Sequence, residues 1–144
     1  MEFTIIGDGG KRIIINVLSR PYSTASDSYS ANWLNAHLKA LIPGFEVSFD
    51  LDILTVNIQS FMHELKKMHK TLTGSAELSA VEGEIHLRGT ISKTGHIIWE
   101  TGLTYPTGIG AKLSFEFESN QSYLPQLISE LDAVLKEFPV IKSV

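Results

Sequence analysis

Five histidines, sixteen carboxylates and one serine-rich stretch are the residues of this 144-residue chain that could do chemistry. The histidines stand at positions 37, 63, 69, 86 and 96. Two ligands reach one metal ion when they are four apart on a helix or two apart on a strand, and no pair here has either spacing. His63 and His69 are six apart on a predicted helix and so face different ways; His69 reads as an imidazole packed at the edge of a core. The chain has no cysteine, which removes thiol catalysis, zinc ribbons and disulfides. Serines crowd between Ser19 and Ser30, but none lies in a G-x-S-x-G turn, and Asp27 among them suits a loop hydrogen bond. Gly7-Asp8-Gly9-Gly10 and Gly108-Ile109-Gly110 are followed by strand patterns, so no helix N-terminus awaits a phosphate. No catalytic residue, metal or cofactor is expected.

The carboxylates give more. Glu46, Asp50 and Asp52 line the polar side of one predicted strand, and Glu116 and Glu118 that of another. Catalytic acids sit in clefts that push their pKa values apart, whereas these belong to the solvated side of a sheet. If the two strands lie near each other, the result is one acidic field suited to a basic partner. A plain solvated sheet face satisfies the same pattern; as a partner surface, Asp50, Asp52, Glu116 and Glu118 are the candidate charge partners. Tyr22, Tyr29 and Trp33, set among serines, have the composition of a binding loop, in which rigid aromatic area costs little ordering entropy. A solvated connection is the plainer reading of the loop; as a binding loop, it offers these three as the candidate anchors.

The elements that position these residues come in two copies. At an offset of 66 residues, Gly44 falls on Gly110 and the alternating Phe45, Val47, Phe49, Leu51 on Ala111, Leu113, Phe115, Phe117. The stripe Ile58, Phe61, Met62, Leu65, Met68, His69, Leu72 falls on Leu124, Leu127, Ile128, Leu131, Val134, Leu135, Phe138. Period two gives way to the helical period at the same place in each copy. Strands are predicted at Glu2 to Ile6, Arg12 to Leu18, Ala31 to Ala40 and Phe45 to Asp52, then a helix from about Thr55 to Thr71. Strands follow at Ser75 to Val81, Glu84 to Ser92, His96 to Tyr105 and Ala111 to Ser119, then a helix from about Asn120 to Glu137 with Pro125 in its first turn. Thr55 is the predicted cap of the first helix, and Thr73-Gly74 its stop.

The expected fold is α+β: two ββββα repeats forming a largely antiparallel curled sheet of about eight strands, with both helices on one face. Two packed four-stranded sheets, or a partly closed barrel, satisfy the same pattern. Residues 1–144 read as one domain with halves at about 1–74 and 75–144. The Trp33 and Trp99 strands disagree in which alternate residues are apolar, which predicts a bulge or a different facing in one of them.

Twelve basic and sixteen acidic side chains give a net charge of −4, which disfavours direct binding to nucleic acid. No apolar run approaches the ~18 residues of a membrane span, so a cytoplasmic protein without membrane contact is expected.

Ala31-Asn32-Trp33-Leu34-Asn35, Gly95-His96-Ile97, and Gln121-Ser122-Tyr123-Leu124-Pro125-Gln126-Leu127-Ile128 followed by Phe138-Pro139-Val140 occur in that order. Together they resemble the WapI-type immunity proteins of bacterial contact-dependent and polymorphic toxin systems, from the first hairpin to Val140. The resemblance implies a non-enzymatic antitoxin that binds and neutralises the C-terminal, nuclease-like toxin domain of a large secreted repeat protein. A basic, substrate-holding toxin surface would suit an acidic inhibitor. The residues by themselves leave a small-molecule-binding domain or an unrecognised hydrolase as the alternative.

Overall fold

A computed structural model describes residues 1–142. Its strands are β1 (Glu2–Ile6), β2 (Arg12–Ser19), β3 (Trp33–Ile42) and β4 (Phe45–Leu54), then β5 (Ser75–Ser79), β6 (Ile85–Ile91), β7 (His96–Tyr105) and β8 (Ala111–Asn120). A one-turn helix α1 (Ser28–Ala31) precedes β3; α2 (Thr55–Thr71) follows β4, and α3 (Leu124–Glu137) follows β8. The α+β class and the doubled ββββα unit are as expected. The single curled sheet is not: β1 to β4 form one antiparallel meander and β5 to β8 a second. The reason is that α2 takes the chain away from β4, so β5 opens a new ladder instead of extending the old one.

The buried residues of both meanders and both long helices make one hydrophobic cluster. Phe3, Ile13, Ile15, Leu34, Leu38 and Ile53 enter it from the first sheet, and Leu78, Ile85, Leu87, Ile97 and Trp99 from the second. Ile58, Phe61, Leu65 and Met68 face it from α2, and Leu124, Leu127, Leu131 and Val134 from α3. His69 lies outside this stripe and is exposed, a correction to its predicted place at the core edge.

The helices exchange partners between halves. Glu64 of α2 accepts the backbone N–H of Glu77 on β5 at 3.1 Å, and Glu130 of α3 accepts that of Thr4 on β1 at 3.0 Å. These glutamates are 66 positions apart, so one repeat position performs the same task twice. Each carboxylate covers an edge amide that would otherwise be free to recruit another strand.

The tryptophan discrepancy has a simple origin. Two residues, Pro43 and Gly44, join β3 to β4, while Pro106–Gly110 join β7 to β8. The longer connection adds three residues, so upstream of it the equivalent positions are 63 apart, not 66. An odd change of offset reverses side-chain parity. Trp99, opposite Phe117, is therefore the counterpart of Ala36, opposite Leu51, and both face inward. Trp33 belongs to the outer face. Two smaller expectations also change. Thr55 is the first helical residue and Leu54 the cap, and α2 ends on Leu72 in the left-handed region at φ 52°, ahead of Thr73-Gly74.

Candidate functional site

The serine-rich loop is more ordered than its composition suggests. A register shift between Val17 and Ser19 precedes the last β2–β3 pair, Ser19 opposite Asn35, after which the chain leaves the sheet. The Ala25 N–H returns to the Tyr22 carbonyl at 3.0 Å, and the Asp27 carboxylate accepts the Ser30 N–H at 2.8 Å, capping α1. Hydrogen bonds from the Ser30 backbone and side chain hold the Asp27 carboxyl below its usual range. This turn sets Tyr22 and Tyr29 edgewise against Trp33, with ring centroids 6.3 and 5.6 Å apart. Both tyrosines stay about half exposed, at 51% and 53%. The three predicted anchors form one outward-facing cluster.

Strand alternation places the rest of the first sheet's outer face. Trp33 is opposite Leu54, the next outward pair is Asn35 with Asp52, and the next is His37 with Asp50. Asp50 and Asp52 thus lie on the same face as Trp33, in successive rows below it. His37 binds Asp50 Oδ1 through Nδ1 at 2.7 Å and Ser48 Oγ through Nε2 at 2.7 Å. Carboxylate, imidazole and hydroxyl in that order are the atoms of a hydrolytic relay. Ser48 was not among the serines singled out, because only the β3–β4 register brings it to His37. The relay lies on an open face, with the side chains of His37 and Asp50 41% and 79% exposed. Ser48 is itself exposed, and the arrangement acts as a cross-strand clip that fixes the direction of Asp50.

Glu116 and Glu118 occupy the other sheet. Both project from the outer face of β8, where Glu118 Oε1 lies 3.4 Å from His96 Nε2 and Glu116 stands directly opposite Glu100. No ladder joins β4 to β8, so the four acidic candidates make two patches, one on each sheet. Beside Glu116, the absence of a side chain at Gly102 leaves an open depression of about 580 Å³ bordered by His86, Arg88, Glu100 and Ser114. A second open groove, about 480 Å³ and more apolar, separates the starts of β4 and β8; Phe49 and Tyr105 stack in it at 4.9 Å. Among the described residues, no three His, Asp or Glu side chains converge as a metal-ligand set, and no helix is long and apolar enough to cross a membrane.

The chemically distinctive residues of this doubled α+β scaffold thus lie on open sheet faces, outside its shared core. The chain belongs to the Immunity protein WapI-like family, which matches residues 4–139. Its role is therefore that of an immunity protein. No curated protein matches it. Among solved structures it is similar to MRP1/MRP2 of Trypanosoma bruciei, with a TM-score of 0.53 and 10% identity over 94% of this chain and 84% of that one. At that identity the likeness is one of fold.

Proposed function

We propose that this immunity protein binds and neutralises the C-terminal, nuclease-like toxin domain of a secreted repeat protein by direct contact, acting in the cytoplasm and without catalysis of its own. The observation that carries the site assignment is the coincidence of two independent features on one surface. Tyr22, Tyr29 and Trp33 pack into a single exposed cluster, and Asp50 and Asp52 lie on the same sheet face. Buried aromatic anchors flanked by charge are what concentrates binding energy in protein interfaces. Carboxylates are the complement of a surface that holds RNA or DNA phosphates. Glu116 and Glu118, on the second sheet, form a separate acidic patch that would steer a basic toxin during encounter.

Co-expression of the chain with its cognate toxin domain tests the reading. Protection is expected for the wild-type chain and is expected to fail for a Trp33→Ala/Tyr29→Ala double variant of unchanged thermal stability. Equal protection by that variant would move the site elsewhere, and killing despite soluble wild-type chain would refute the toxin assignment.

A further inference from the structure

The aromatic cluster stands on a loop, and loops give tight binding only when their bound shape is already populated. Beneath this loop the chain carries an unusual tie. Asn32, the residue between α1 and Trp33, is 3% exposed. Its Nδ2 donates to the Ile141 carbonyl at 2.7 Å, and its Oδ1 accepts the Ile141 N–H at 2.8 Å. The side-chain amide thus pairs with one residue of the C-terminal segment as a neighbouring strand would.

The same amide holds two further elements. Nδ2 also donates to the Ser28 carbonyl at 2.8 Å, and Oδ1 accepts the Thr55 hydroxyl at 2.5 Å. Thr55 is fully buried, and its N–H donates to the Asn32 carbonyl at 2.9 Å. On the other side of the loop, Arg20 donates to the Pro139 carbonyl. Partial burial lowers the affinity of that guanidinium for its proton, and its Nε is buried without a partner. A chain carbonyl is the compensation it receives. Phe138, whose N–H donates to the Val134 carbonyl at 2.8 Å, packs against the core and anchors the segment at the end of α3.

We propose that Pro139–Ile141 is a strap that preorganises the aromatic anchor, with Asn32 as its positioning residue. This rests on the reading of Tyr22, Tyr29 and Trp33 as the toxin anchor, but its structural half stands without it. The strap closes the loop at both stems, Arg20 and Asn32, and leaves the rings free. It also gives a shared physical purpose to two separated motifs, Asn32-Trp33 and Phe138-Pro139-Val140: one supplies the buried amide, and the other anchors the segment that delivers Ile141 to it. A partner then meets a loop already in its binding shape, and the ordering cost is met during folding.

The test uses Asn32→Ala, Ile141→Pro, which removes the N–H that Asn32 accepts, and the double variant, all in the full chain and without toxin. Hydrogen exchange at Ala25 and Ser30 and iodide quenching of tryptophan are read; Trp99 is buried, so quenching reports Trp33. Each buried hydrogen bond lost is worth roughly a factor of five in local opening, so exchange of the loop amides should rise about fivefold in Ile141→Pro, which loses one bond between Asn32 and the strap, and about twenty-fivefold or more in Asn32→Ala, which loses both. Amides of β2 and β7 should keep their protection, and the double variant should open the loop no further than Asn32→Ala alone. If Asn32→Ala does not fold, Ile141→Pro, near the end of the chain, carries the test. Unchanged loop exchange and quenching in a folded variant would overturn the strap, as would loosening shared equally with the sheets. Should the loop open as expected while co-expressed toxin is still neutralised at the wild-type rate, the anchor reading falls and the strap remains.

Discussion

Reversing one charge on the second sheet should make this protein more stable and a poorer binder. Glu116 and Glu100 are directly opposed across β7 and β8, and both are exposed. Among the described residues no ion pair reaches either one, while the nearby Arg88 is held by Glu77 at 3.3 Å. Like charges in this position cost about 0.2–1 kcal/mol and an opposite pair contributes about as much. Glu116→Lys converts one into the other, for a gain of about 1 kcal/mol. In a chain of this length that raises Tm by roughly 3 °C. The gain is electrostatic and exposed, so it should vanish in 1 M NaCl, where the Debye length falls to about 3 Å. Thermal unfolding at low and high salt measures both numbers. Toxin association, followed in parallel by stopped flow, should slow for the same variant if the second patch steers encounter. No change in Tm at low salt, or a gain that survives high salt, would refute the reasoning about the pair. A Glu100–Glu116 repulsion kept at the expense of stability is what a surface selected for a basic partner would carry.

Three other outcomes can be checked independently. Gly89→Ala should destabilise by about 2 kcal/mol or more, since the added Cβ would lie 2.5 Å from the buried Trp99 ring; a neutral result in urea unfolding would mean that the indole can move aside. The Asp27 cap has a depressed folded pKa, so its contribution is fully present above the unfolded value near 3.8 and is lost as pH falls through the lower folded value. Near-UV circular dichroism of the aromatic cluster should therefore change below that range in the wild-type chain and stay flat in Asp27→Asn, whose amide oxygen caps at every pH. Finally, Ser48 should react with a fluorophosphonate no faster than an ordinary surface serine, as judged by mass spectrometry against Ser48→Ala. Rapid labelling that depends on His37 would turn the clip into a nucleophilic site.

Much of the molecule follows from local pattern. Alternating Phe45 to Leu51 and Ala111 to Phe117, the helical stripes from Ile58 and Leu124, and the strand-to-helix switch at a common spacing are properties of short windows. Side-chain period alone writes them, so the doubled ββββα unit is legible in the sequence. The clustering of Tyr22, Tyr29 and Trp33 was legible for a similar reason: they are close in the chain, and a short loop cannot scatter them far. Family membership was legible too, through ordered motifs that span the whole chain.

What depended on distant parts of the chain meeting was settled by the tertiary structure alone. Three extra residues between β7 and β8 reversed the facing of Trp33 relative to Trp99, an effect that periodicity within each strand does not register. Ladder register placed Ser48 against His37 and Glu100 against Glu116, and the α2 crossing divided the acidic candidates between two sheets. The grip of Asn32 on Ile141 joins positions 109 residues apart. Hydrogen bonds of that kind leave no periodic trace, because the chain between their ends sets the geometry while the two residues supply only a donor and an acceptor.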